Sequence, residues 1–262
     1  MPATYTHGVY GEKVLEVLDE KTQALIQKHR GLYDIGLSGP DILFFFRPFG
    51  SHPVQKIGYD LHEVPARDFF MNAREVILKS KNPEAALVYM LGFVNHFVLD
   101  SECHPLVNKT TSEMDVSHSE LESEFDAVFM REKGLDPVRT SVCEHMKTNK
   151  EYADVIAPFF GIEPKEVHES LVTLRWLLNF FVAPSEVKRK FIYAVMKKVG
   201  AYDHYQGLIF NRKAREDTKE VCQQLRKGFD YAIETSVRLI DEYQRTLTTG
   251  EALDERYDRN FE

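Results

Sequence analysis

His96 and His118 each stand four residues before a carboxylate, Asp100 and Glu122, and His104 lies between the two pairs. If both segments are helical, each ring and its carboxylate share one helix face. A nitrogen and a carboxylate oxygen so placed can bind one metal ion, and zinc accepts both donors. His96, Asp100, His104, His118 and Glu122 exceed what a single structural zinc uses, so the spacing points to two or more ions. The apolar neighbours of Asp100 imply burial, and a buried carboxylate needs a cation or strong donors. The simpler alternative is a hydrogen-bonded His/Asp pair in a core.

Other candidates are weaker on their own. His7 precedes a predicted helix and by itself reads as a surface histidine. Asp41 follows a Gly-Pro turn, where a carboxylate can simply cap a helix. His52 and His62 compete for one role. His29, His145, His168 and His204 have no evident partner and read as structural or surface residues. Cys103 lies beside the cluster, but Asp100 and His104 bracket it, and the three cysteines, Cys103, Cys143 and Cys222, read as reduced thiols.

The elements that must position these residues are helical: apolar residues recur at helical spacing, and strand-like alternation is scarce. A first amphipathic helix is expected over Val9 to Lys28, and an irregular connection over Ser38 to Leu61, interrupted by the apolar run Ile42 to Phe46. Phe44 to Phe46 read as core. Helical character resumes over Pro65 to Lys81. Asn82-Pro83 is a helix start, with Asn as N-cap and Pro at the first position. That helix is expected to run to about Asp100, since Pro105 opposes an undistorted continuation, and a polar loop follows over Asn108 to Val116. Ser117 caps the next helix, which ends at Gly134. Further helices are expected at Pro137 to Lys147, Tyr152 to Phe160, Glu163 to Val182, Pro184 to Gly200 and Arg215 to about Thr246. The charged tail Leu253 to Glu262 is expected to pack loosely. The sum is an all-α, multi-helical single domain over 1–262, with the metal site in 1–125 and a C-terminal helical subregion in 135–262.

With 43% hydrophobic and 28% charged residues, the chain suffices for one sizeable core. A net charge of -8 argues against general affinity for a nucleic-acid backbone, so no stable nucleic-acid partner is expected. The basic runs at Lys188 to Lys190 and Lys197/Lys198 read as solvated helix faces. No apolar stretch is long enough to span a bilayer. Met1 to Gly11 lacks the basic region and apolar core of a secretory signal, and a cytoplasmic location is expected.

Taken together, His7, Asp41, His62, His96-x3-Asp100, His104 and His118-x3-Glu122 resemble the zinc-dependent phospholipase C family over roughly residues 1 to 125. The resemblance implies an all-helical domain holding three zinc ions. It assigns His96, His62, Asp41 and Asp100 to one ion, and His104, His118 and Glu122 to a second. The third shares Asp100 with His7 and the chain's N-terminal residue, which the family's secreted members supply as a tryptophan amine. Here the chain starts Met1-Pro2-Ala3, and removal of Met1 would expose the Pro2 amine, so two or three zinc ions are expected. His62 is preferred to His52 because Gly58-x-x-Leu61-His62 looks like the family's segment.

The implied reaction is hydrolysis of a phosphate ester, possible substrates including phospholipid. Two zinc ions about 3.5 to 4 Å apart can bridge a water, lower its pKa toward about 7 and stabilise charge on phosphorus. The resemblance suggests Asp41 as both ligand and proton acceptor, hence the catalytic residue. Alternatives are a zinc-dependent nuclease or nucleotidase, and a non-catalytic metal-binding protein.

Overall fold

The computed structural model describes residues 4–262, apart from the side chain of His204. The Pro2 amine and the His204 side chain therefore lie outside the described residues. The fold is all-α, with no strand among those residues.

The chain opens with α1 (Thr4–Val17), α2 (Glu20–Lys28) and α3 (Arg30–Gly36). The single helix expected over Val9 to Lys28 is thus two: Asp19 breaks it by accepting from the backbone N–H groups of Lys21 and Thr22, a cap for the second helix. His7 lies inside α1 rather than before it. A 3-10 segment, Gly39–Phe45, and α4 (Pro53–Glu63) fill much of the stretch expected to be irregular. Then come α5 (Arg67–Lys79) and the long α6 (Pro83–Glu113).

Asn82 caps α6 by accepting from the N–H of Ala85, as its position before Pro83 predicts. This helix runs through Pro105, beyond the expected end and through most of the expected loop. Pro105 costs the bond to the carbonyl of Ser101, but it sits on the exposed side. The uninterrupted burial of residues 90–100 anchors the helix before Pro105, and buried Val107 and Thr110 anchor it after. Ser117 caps α7 (His118–Glu132) through the N–H of Glu120.

Residues 137–147 do not form the expected helix. Asp136 instead accepts from the N–H of Val138 and closes a turn with Arg139, and β-branched and hydroxyl side chains there favour such local bonds over a helix. The chain continues with α8 (Lys150–Phe160), α9 (Pro164–Phe181), α10 (Glu186–Lys198), the short α11 (Tyr202–Tyr205) and α12 (Lys219–Thr249).

Helix α6 is the axis of the fold, packed against α3 on one side and α12 on another. The contact with α3 is backbone to backbone: a Cβ on Gly92 would lie 2.3 Å from the carbonyl oxygen of Tyr33, and one on Gly36 would lie 2.2 Å from that of Tyr89. The tail is not loose. Leu253, Tyr257 and Phe261 are buried, Arg67 donates to the carbonyls of Leu253 and Asp254 and pairs with Asp258, and the N–H of Ala66 donates to the carbonyl of Arg259 at 2.9 Å.

Candidate metal centre

Five separate elements deliver the candidate residues to one place: α1 brings His7, the 3-10 segment Asp41, α4 His62, α6 His96, Asp100 and His104, and α7 His118 and Glu122. Two groups result. Asp41, His62, His96 and Asp100 each offer an atom within 4.8 Å of the others, and so do His104, His118 and Glu122. All of these side chains are buried except His118, which is partly open.

Asp100 links the groups. Its Oδ1 lies 2.9 Å from His7 Nε2 and 3.8 Å from His104 Nε2, and its Oδ2 lies 3.0 Å from His96 Nε2. In the second group, His104 Nε2 and His118 Nε2 converge on Oε1 of Glu122 at 3.4 and 3.2 Å. His52 takes no part in the cluster. It caps α4, with Nδ1 accepting from the N–H of Val54.

The protonation pattern identifies what the site requires. His62 Nδ1 lies 2.8 Å from the carbonyl oxygen of Gly58, and His96 Nδ1 lies 3.2 Å from that of Leu37. A carbonyl only accepts, so each Nδ1 donates, and in the neutral ring Nε2 carries a lone pair. That of His62 faces Asp41 Oδ1 at 3.0 Å, as that of His96 faces Asp100 Oδ2. Acceptor opposite acceptor requires a cation between or beside them. Neither Nε2, nor Asp41 Oδ1, has a hydrogen bond of acceptable geometry. At His96 a proton fits poorly: burial lowers its pKa more than Asp100 and Asp41 raise it, and the His7 ring stacked 4.6 Å away adds to the lowering, whereas at His62 burial is outweighed by Asp41, which raises the ring. A ring fixed at Nδ1 by a carbonyl with Nε2 bare is how a metal-binding histidine is oriented.

The carboxyls answer the same field. Burial by itself would raise Asp41 and Asp100, yet the neighbouring imidazoles hold Asp41 below the usual carboxylate range and Asp100 well below it. Burial would lower His104, but Asp100 and Glu122 lift it to about 9.

A cleft of about 310 Å³ opens on the cluster, with His62, His104 and His118 in its wall. Phe44 and Tyr59, stacked 4.4 Å apart, line one part of it, and Glu63, Asp203 and Glu262 supply carboxyls. Asp41 lies beneath this wall at 1% exposure.

Sequence reasoning missed two supports of the cluster. Asp126, one turn beyond Glu122, accepts from the N–H groups of Tyr5 and Thr6 at 3.2 and 2.7 Å, tying the first turn of α1, and so His7, to α7. Phe261 packs 5.3 Å from the His62 ring and 5.8 Å from that of His96. The four-residue spacing of Leu253, Tyr257 and Phe261 among charged residues was the available signal for the second. Replacing Phe261 with Leu is expected to cost about 1 kcal/mol of stability and to weaken zinc binding about tenfold, because the apolar shell orients the rings and excludes water. Titration with a competing chelator measures this, and unchanged affinity would assign Phe261 to packing alone.

A family model described as zinc dependent phospholipase C matches residues 6–168. Comparison with curated proteins gives no significant match, and comparison with solved structures gives none either.

Proposed function

Because this chain belongs to the zinc-dependent phospholipase C family, we propose that it hydrolyses a phosphodiester of the phospholipid type, with zinc held by His7, Asp41, His62, His96, Asp100, His104, His118 and Glu122. The observation that carries this reading is the pair of bare Nε2 atoms of His62 and His96, each facing a carboxylate oxygen at 3.0 Å. Zinc there supplies an electrophile for a phosphate oxygen and a water made acidic near neutral pH.

The chain's own residues do the rest. The carbonyls of Gly58 and Leu37 fix the ring tautomers, and three histidines present the cluster to the cleft, so a substrate reaches it from one side. Asp41 is assigned the role of ligand and of proton acceptor for the attacking water. Its depth below the wall supports the first role more directly than the second. The carboxyls of Glu63, Asp203 and Glu262, beside the aromatic faces of Phe44 and Tyr59, suit a cationic headgroup and oppose a polyanion, which counts against a nuclease. The opening at His118, 32% exposed, counts against a closed structural site.

The test is elemental analysis paired with assay of phosphatidylcholine and of a soluble phosphodiester, before and after chelation. We expect two or three zinc per chain and release of phosphorylated headgroup that stops on chelation and returns with zinc. One zinc or none, or turnover indifferent to chelation, would overturn the reading.

The pH dependence of zinc binding follows from His104. In the metal-free protein its pKa stands at about 9, so at neutral pH zinc must displace a proton from this ring. Apparent affinity is therefore expected to climb roughly tenfold per pH unit from that proton alone as pH rises toward 9, and to flatten above it. Isothermal titration across that range measures the slope, and a flat profile between pH 7 and 9 would remove His104 from the ligand set.

A further inference from the structure

Helix α10 buries only Ile192 and Met196. On its outer side Val187, Phe191, Val195 and then Val199 recur every fourth residue, and they are 80%, 59%, 38% and 55% exposed. Residues so spaced form one row along a helix, so the apolar stripe faces solvent rather than the protein. The same helix carries Lys188, Arg189, Lys190, Lys197 and Lys198 against one acid, Glu186, and that acid is paired with Arg212 at 2.6 Å. A chain of net charge -8 thus concentrates positive charge along an exposed apolar row.

The patch extends in two directions. Lys188 Nζ lies 5.8 Å from the ring of Phe180 on α9, which stacks with the 58% exposed Trp176 at 5.3 Å. At the other end, Val199 borders a cavity of about 480 Å³ together with the exposed Phe49 and Tyr59. Tyr59 also lines the cleft over the metal cluster. Tyr59 therefore borders both the cavity at the end of the stripe and the cleft over the site.

We propose that α10, with Trp176 beside it, docks the protein on an anionic lipid bilayer surface and so holds the cleft against headgroups. Apolar side chains on one row, flanked by lysines and an aromatic, are the composition of a helix that lies in the membrane interface, and the lysines select an anionic leaflet. No described helix is long and apolar enough to cross a membrane, which leaves contact from one side. A second copy of the chain is a poor occupant, because a two-fold interface would oppose this basic row to itself. The proposal rests on the phospholipid reading for its purpose; the binding itself does not depend on it.

The experiment is co-sedimentation of the zinc-loaded chain with vesicles of phosphatidylcholine alone, and with vesicles of equal parts phosphatidylcholine and phosphatidylserine. Binding is expected to the second, weakened by salt, and little to the first. A Val187→Ser/Phe191→Ser variant should lose at least about tenfold in apparent vesicle affinity, the factor that one buried aromatic side chain is worth. Lys190→Glu/Lys198→Glu, which leaves the apolar row intact, should abolish the preference for anionic vesicles. Both variants should keep the wild-type zinc-dependent turnover of a monomeric, water-soluble phosphodiester and the wild-type circular dichroism. Failure of the wild type to sediment with either vesicle, or wild-type affinity in both variants, would overturn the docking surface. Loss of a dimer in the first variant by light scattering would do the same and assign the row to a second copy. Vesicle binding without hydrolysis of either substrate would instead overturn the catalytic reading and leave the surface standing.

Discussion

Asp100→Asn is expected to lose zinc from both donor groups and to lower zinc-dependent hydrolysis by at least about a thousandfold. The reason is geometric. One carboxylate reaches His7 and His96 through separate oxygens at 2.9 and 3.0 Å and lies 3.8 Å from His104, so it joins the His7 ring of α1 to both ends of the ligand row on α6. An amide keeps the shape but gives up the charge and one acceptor. Glu122→Gln gives the contrast, since that carboxylate faces His104 and His118 of the second group. It should empty that group and spare the other. Metal content and the rise in Tm on adding zinc, measured for both variants, make the distinction. Equal losses in the two, or retention of full zinc in Asp100→Asn, would show that Asp100 does not join the groups.

The second large effect is expected far from any donor atom. Gly92→Ala places a methyl group 2.3 Å from the carbonyl oxygen of Tyr33, and neither helix can yield without separating α3 from α6. We expect a loss of about 3 kcal/mol or more, seen as a fall in Tm of roughly 6–12 °C. Zinc affinity should fall with it, because α3 leads into the carbonyl of Leu37 that fixes His96 and then into the segment bearing Asp41. Gly228→Ala is the control: its Cβ would meet Cys103 Sγ at an ordinary 3.6 Å, and within α12 alanine is favoured over glycine by about 1 kcal/mol. A Gly92→Ala protein as stable as the wild type would mean that the two helices do not touch.

The all-helical class and the two His-x3-carboxylate pairs were legible in the chain because both depend on the period of a helix, which is local. The caps at Asn82 and Ser117 were legible for the same reason. What sequence reading could not supply depended on tertiary packing. Pro105 looks like an end until the burial on either side of it is known. In the sequence His62 is preferred to His52 only through the resemblance of its segment, and the fold gives the physical reason, one ring turned to cap its own helix and the other to face Asp41. The tail's charged residues masked Tyr257 and Phe261, whose partners, Phe97 and the rings of His62 and His96, lie more than 150 residues earlier. The row on α10 was visible as basic runs, but their meaning changed once Phe191 and Val187 were found on the outside.

Helix α6 also acts as a ruler. His96, Asp100 and His104 leave its backbone at steps of about 6 Å, set by the rise of 1.5 Å per residue, so the spacing of the donors that α6 gives to the two groups is fixed by helix pitch and by no loop. An extra residue between His96 and His104 would swing everything downstream by about 100° and part the groups, whereas one in the 114–117 turn would leave the α6 row intact. Apart from His104, the walls of the cleft come from other elements and can vary without moving the α6 donors. The separation of the α6 donors cannot, because it changes only by breaking the helix at the centre of the core.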